Sequence, residues 1–195
     1  MGEVTTYSVY FKQMGQKNTA RTLEMAHARA KALDVDMVLV ASTTGKTGIE
    51  AVKTMKGLNV IVVSHSFGFK EANMQELSYI NLAEIESNGG KVLTCCHAFG
   101  GVNRGIRKKW GTYQVDEVIA QTLRIFSEGM KVAVEIAIMA ADAGLVRTDK
   151  PVMSIGGTGK GADTAVVLIP ANAQSFFDMQ ILEVVCMPSA DHPCK

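Results

Sequence analysis

The chain has 195 residues, 47% of them apolar, and 20 Lys plus Arg against 19 Asp plus Glu, a formal net charge of +1. That length and composition predict one domain with a core covered on two sides. The charge balance excludes a nucleic-acid binder driven by bulk electrostatics, and no polybasic run or basic amphipathic helix points to a membrane surface.

The first residues, Met1 to Thr6, lack the basic and apolar regions of a secretory signal. The longest apolar stretch, Val132 to Ala141, contains Glu135 and is too short to span a bilayer. The cysteines are Cys95, Cys96, Cys186 and Cys194; the first two are adjacent and no CxxC occurs. Reduced thiols and a cytoplasmic location are therefore expected.

In chain order, residues 1–17 read as an N-terminal extension. Asn18 and Thr19 then cap a helix running to about Leu33, with Leu23, Ala26 and Ala30 on one face. Met37 to Ala41 is an uninterrupted apolar run, the mark of a strand buried on both faces. A helix from Thr47 to about Lys56 follows, then a strand at Val60 to Val63. A third helix is expected from Asn73 to Asn88, ended by Gly89 and Gly90, then a strand at Val92 and Leu93. Val115 to Phe126 and Lys131 to Ala143 read as two helices separated at Gly129. Strands at Val152 to Ile155, Thr164 to Ile169 and Ile181 to Met187 close the chain, and a polar, mobile tail is expected over 188–195. This alternation predicts a three-layer, doubly wound α/β fold whose mostly parallel sheet carries an antiparallel edge at the last pair. One domain spans 1–195, with no repeat or linker.

In such a sheet, ligands bind beyond the carboxyl ends of the strands. Four segments stand there: Ser42 to Gly48, Ser64 to Phe69, Thr94 to Gly101 and Gly156 to Asp163. All are rich in Gly, hydroxyls or His. In the first, Ser42, Thr44 and Thr47 supply hydroxyl donors, with Thr43 among the ligand-binding candidates; Gly45 allows close backbone approach, Lys46 adds charge, and the next helix offers free N–H groups. That chemistry suits a phosphate. The plain alternative is a simple helix cap, which does not need three hydroxyls around a glycine.

The loop is no Walker A motif, since Val40 stands where a glycine is required. In the fourth segment, Gly157-x-Gly159-x-x-Ala162 fits a dinucleotide fingerprint formally but leads into a strand. Gly156, Gly157, Thr158, Gly159, Lys160 and Gly161 suit a second anion-holding loop or, alternatively, a tight turn between strands. His65 and His97, on neighbouring strand ends, suit ligand contact or acid–base chemistry; the alternative is a bond to nearby backbone. Phe67 and Phe69 stack on a planar ring or pack their loop. Cys95-Cys96-His97 is a poor metal cluster, and no metal site is expected. Glu135, in an apolar helix, needs a partner. Lys131 is read as too close along the chain to pair well, so a loop N–H or a distant cation is expected. Arg104, Arg107, Lys108 and Lys109 beside Trp110 form a basic patch, and Asp163 is expected to pin its glycine turn.

From Val38 to Thr47 the chain resembles the C-terminal domain of pyruvate kinase, whose strand feeds a hydroxyl-and-glycine loop that grips a phosphate of a sugar bisphosphate effector. Ser42, Thr44 and Thr47 stand at that loop's hydroxyl positions. More closely, the chain is similar throughout to stand-alone archaeal and bacterial proteins with this domain. The resemblance is carried by Tyr10-Phe11, Gly15 with Asn18-Thr19, Val40-Ala41-Ser42 with Gly45 and Thr47, His97-Ala98, Val132 to Leu145, and Ile155-Gly156-Gly157-Thr158 with Gly161-Ala162-Asp163-Thr164-Ala165. It implies the fold and a binding site, with flavin mononucleotide (FMN) consistent as the ligand. It does not imply pyruvate kinase activity, because the catalytic barrel and its metal and phosphoenolpyruvate residues are not in this sequence. Three readings follow: binding of a phosphorylated small molecule or nucleotide, an enzyme using His65 or His97 on a phosphorylated metabolite, or a regulatory or assembly module. A homo-oligomer is expected on general grounds.

Overall fold

The computed structural model describes residues 2–189. Seven strands form one sheet in the order β1-β7-β6-β5-β2-β3-β4. They are β1 (Val9–Phe11), β2 (Met37–Ala41), β3 (Asn59–Ser64), β4 (Lys91–Thr94), β5 (Val152–Gly156), β6 (Thr164–Ile169) and β7 (Gln180–Pro188). The helices are α1 (Thr19–Ala32), α2 (Lys46–Thr54), α3 (Tyr79–Ser87), α4 (Val102–Trp110), α5 (Val115–Arg124) and α6 (Glu128–Asp142). None of these is long and apolar enough to cross a membrane.

Strands β5, β2, β3 and β4 run parallel, with Val40 beside Ile155 on one side and Val62 on the other. Strand β6 is antiparallel to both β5 and β7. The loop 157–163 between β5 and β6 is too short for a parallel crossover, so the chain must turn back. The segment read as an N-terminal extension supplies β1, which pairs parallel with β7 and covers its outer side. Pro188 still belongs to β7, and the Ser189 N–H donates to Phe11 O; the rest of the expected tail lies outside the described residues.

Both sheet faces are covered, which is why the strands read as unbroken apolar runs. Val38, Val40, Val60, Val62, Met153 and Ile155 point to α1, α2 and α3. Leu39, Ile61, Val63 and Val152 point to the face held by α5 and α6. Helix α6 is buried without a break from Ala133 to Ala141 because α5 covers its outer side. At its start, a Cβ at Gly129 would collide with Thr164 and one at Gly156 with Gly129 O. The helix backbone therefore lies directly on the ends of β5 and β6.

Two boundaries and one helix differ from expectation. Helix α3 starts at Tyr79, not Asn73, because Asn73 has φ 60° and Ser78 Oγ accepts from the Asn81 N–H as the true cap. Ser127, not Gly129, separates α5 from α6, its Oγ accepting from the Met130 N–H. Helix α4 was not expected: its Arg104, Arg107, Lys108 and Lys109 read as a basic patch, and it buries no residue.

Candidate functional site

The order of strands reverses between β2 and β5, which creates a crevice at their carboxyl ends. The turns Ser42–Gly45 and 157–163 flank it. Helices α1, α2, α3 and α6 each run antiparallel to the parallel strands they cover, so their N-termini gather at the same edge.

In the first turn, Gly45 has φ 94° and is the N-cap of α2. Its missing Cβ serves packing as much as any ligand, since a Cβ would sit 2.6 Å from Leu77 Cδ1 and 2.7 Å from Asn81 Cβ. Asn81 Nδ2 also donates to Thr44 O at 2.7 Å, tying α3 to the turn. Ser42 is buried and its Oγ accepts from the Gly48 N–H at 3.1 Å. That hydroxyl is thus committed to the helix, while the N–H groups of Lys46 and Thr47 have no acceptor among the described residues. Thr44 and Lys46 are exposed; Thr47 is largely buried.

The second turn is more self-contained than expected. Asp163, fully buried, accepts at Oδ2 from the N–H of Gly15 (2.8 Å) and Thr158 (3.2 Å), and at Oδ1 from the Thr164 hydroxyl (3.0 Å). It pins the turn and the N-terminal segment together. A Cβ at Gly157 would collide with Gly161 O, and one at Gly161 with Thr19 and Gln16. The buried Thr158 Oγ1 has no partner among the described residues, and Gly159 and Lys160 face outward.

Farther along the same edge, on the α6 side of the sheet, lies a cluster the sequence hinted at but did not assemble. The His65 and His97 rings are 5.1 Å apart, and Phe69 packs on both, 4.0 and 4.8 Å between centroids. Arg104 lies 4.7 Å above the Phe69 ring, whereas Phe67 is exposed. His65 is held at Nδ1 by Glu76 Oε2 (2.8 Å) and faces Thr43 Oγ1 at Nε2 (3.3 Å). Burial lowers the His65 pKa; the Glu76 hydrogen bond opposes that, and His97 and Arg104 add to the lowering. His65 is therefore neutral near pH 7.

His97 approaches Glu135 Oε2 at 3.7 Å through Nδ1, and its buried Nε2 has no partner among the described residues. Glu135 accepts the Phe99 N–H at 2.9 Å and pairs with Lys131. Lys131 thus is the partner, contrary to expectation: the spacing is i,i+4, which places the two on one face of α6. Burial would raise the Glu135 pKa, but His97 and Lys131 outweigh it and hold the carboxyl at about 2. At 3.7 Å the imidazole is beyond hydrogen-bond length, so Lys131 is the closer support of the charge. The basic patch divides. Arg104 faces Phe69, Arg107 pairs with Glu117 at 2.9 Å, and Lys108 and Lys109 are exposed.

No group of three metal-ligating side chains occurs among the described residues. A hollow of about 370 Å³ lies elsewhere, between Thr5, Tyr7, Met25, Arg29 and Glu183, and another of about 220 Å³ sits by Asp36 and Val152 at the opposite end of the strands. Neither touches the strand-end turns. A phosphate held by backbone N–H groups needs no deep cavity, so the chemistry of the turns outweighs the size of those hollows.

The pyruvate kinase alpha/beta domain family matches residues 9–168. Among solved structures, a pyruvate kinase from Cryptosporidium parvum is 12% identical, aligned over 77% of this chain and 22% of that one with a TM-score of 0.38. The Cryptosporidium parvum pyruvate kinase in complex with ADP is 12% identical over 84% of this chain and 24% of that one, TM-score 0.35. A pyridoxal 5'-phosphate-dependent aspartate racemase is 17% identical over 70% of this chain and 47% of that one, TM-score 0.29. The chain spans less than a quarter of the length of the pyruvate kinases it resembles. With the family matched from β1 to β6, the chain belongs to the pyruvate kinase alpha/beta domain family.

Proposed function

We propose that this domain binds a phosphorylated small molecule or nucleotide at the crevice between β2 and β5, with FMN as the first ligand to test. The observation that carries the reading is the α2 start. Among the described residues, the N–H groups of Lys46 and Thr47 have no acceptor and Lys46 forms no ion pair, and no acidic residue stands in Ser42 to Gly48. A phosphate there gains N–H bonds, hydroxyl donors from Thr44 and Thr47, and the positive end of the helix dipole. Gly156, Gly157, Thr158, Gly159, Lys160 and Gly161 form the facing wall, from which Lys160 supplies a second cation. His65, His97 and Phe69 lie where the rest of a ligand would extend.

This reading concerns binding. The activity of a whole pyruvate kinase is no part of it. Free thiols at Cys95, Cys96 and Cys186 suit a reducing, cytoplasmic setting, and exposed apolar side chains on α5, among them Val115 and Val118, suit a homo-oligomer.

Mass spectrometry of small molecules released from the purified protein identifies the ligand directly. Bound FMN would also give absorbance near roughly 450 nm, a property of the cofactor. A Thr44→Ala/Thr47→Ala variant that binds phosphorylated ligands as tightly as wild type would overturn the assignment.

A further inference from the structure

Thr43 has not been used by the binding reading, and its surroundings carry a function of their own. It sits on the sharp turn between β2 and α2, in the run Ala41-Ser42-Thr43-Thr44-Gly45. A small residue two before and a glycine two after a hydroxyl, on a strand-to-helix turn, is the local pattern that presents a nucleophile at the top of an α/β sheet. Gly45, with φ 94°, makes the turn.

The neighbouring strand end supplies the rest. Thr43 Oγ1 is 3.3 Å from His65 Nε2, and His65 Nδ1 is 2.8 Å from Glu76 Oε2. A carboxylate only accepts, so Nδ1 carries the proton and the neutral ring turns its lone pair toward the Thr43 hydroxyl. The arrangement is held from behind. Gln75 Nε2 donates to His65 O at 2.9 Å, and Gln75 Oε1 accepts the Leu77 N–H at 3.0 Å, which fixes Glu76 between them. Thr43 and Glu76 make no other hydrogen bond among the described residues. Among the described residues, the Thr44, Lys46 and Thr47 N–H groups that follow the hydroxyl have no acceptor, as donors to a developing oxyanion must be.

We propose that Thr43, His65 and Glu76 form a nucleophile–base–carboxylate relay that hydrolyses activated carboxylic esters through an acyl-threonine intermediate. Thr43 Oγ1 attacks the carbonyl carbon while its proton passes to His65 Nε2. The C–O bond to the alcohol breaks, and the alcohol leaves with that proton. Water, deprotonated by the same Nε2, then attacks the acyl carbon. The carboxylic acid departs, and the proton returns to Thr43. Ester and water become acid and alcohol, with no other reactant. Glu76 is a positioning residue that holds the tautomer. The Lys46 and Thr47 N–H groups are the ones the proposed phosphate would occupy, so the hydrolysis belongs to the ligand-free turn and is assayed on ligand-stripped protein.

The full chain is tested with p-nitrophenyl acetate. The expected result is a burst of p-nitrophenol, about one equivalent per chain, with an acetyl group on the peptide bearing Thr43 after acid quench. Thr43→Ala should lose at least about 100-fold in rate, while Thr43→Ser keeps turnover because a hydroxyl remains. Glu76→Gln should slow the reaction and also move the acid limb of its pH profile to lower pH, since Glu76 raises the His65 pKa. A merely structural role would leave that limb in place. The proposal is overturned by a Thr43→Ala variant that turns over at the wild-type rate, by acetyl found only on lysine or cysteine, or by wild-type hydrolysis no faster than buffer.

Discussion

Replacing Glu135 with Gln tests the buried charge beneath His97. In the native protein this carboxyl titrates at about 2 instead of 4.5, held down by His97 and Lys131 against the cost of burial. At about 1.4 kcal/mol per pH unit, that gap corresponds to roughly 3 kcal/mol of stability. Because the folded pKa is the lower one, the contribution is complete above about pH 5. It is lost as pH falls through 4.5 toward 2. Gln keeps an oxygen for the Phe99 N–H but leaves the Lys131 ammonium unpaired in a buried site, which costs about 3–5 kcal/mol at neutral pH. Urea unfolding of both proteins at a series of pH values isolates the effect, because the other carboxylates are common to both. The stability difference should shrink by about 2 kcal/mol between pH 4.5 and pH 3. A difference that stays constant from pH 7 to pH 3 would refute the account of Glu135 as a buried, ionised group.

Two further outcomes follow from packing and exposure. Gly157→Ala should destabilise by about 1–3 kcal/mol, since its methyl meets Gly161 O, whereas Gly159→Ala, with open space around it, should cost only about 1–2 kcal/mol for its positive φ. Equal melting temperatures for Gly157→Ala and wild type would contradict the tight turn. Burial pushes the Cys186 thiol up to about 11, opposed by Thr22, while Cys96 is exposed. A thiol reagent near pH 8 should therefore modify Cys96 in the folded protein and Cys186 only in denaturant, as peptide mapping would show.

Much of the fold was legible because the sheet is buried on both faces. Met37–Ala41 and Thr164–Ile169 are strands with the bounds their apolar runs suggest. Val9–Phe11 escaped because three half-exposed residues carry no period, and its pairing partner, β7, is almost the whole chain away. Helix α4 escaped because its Arg104, Arg107, Lys108 and Lys109 read as a basic patch and it buries nothing.

The candidate site divides along the same line. Turns that follow strands could be located from the strands themselves. Contacts that depend on the path of a long loop could not. Nothing in the spacing of Glu76 announces that the segment 65–78 folds back to place it against His65. The Lys131–Glu135 pair was misjudged although the sequence carries its signal: four residues apart on a helix is the distance at which side chains meet. The glycines of 157–161 show another limit. Composition suggests room for a ligand, while Gly157 and Gly161 are there because the chain packs on itself.

Calorimetric titration of ligand-stripped protein decides whether a phosphate binds at the start of α2. FMN, and a second titration with inorganic phosphate, should bind competitively to the wild-type chain. Both affinities should fall at least about tenfold in Thr44→Ala/Thr47→Ala, the loss of more than one hydrogen bond to a charged group. Phosphate and FMN that bind the variant and the wild type equally well, or that fail to bind the wild type at millimolar concentration, would contradict the account.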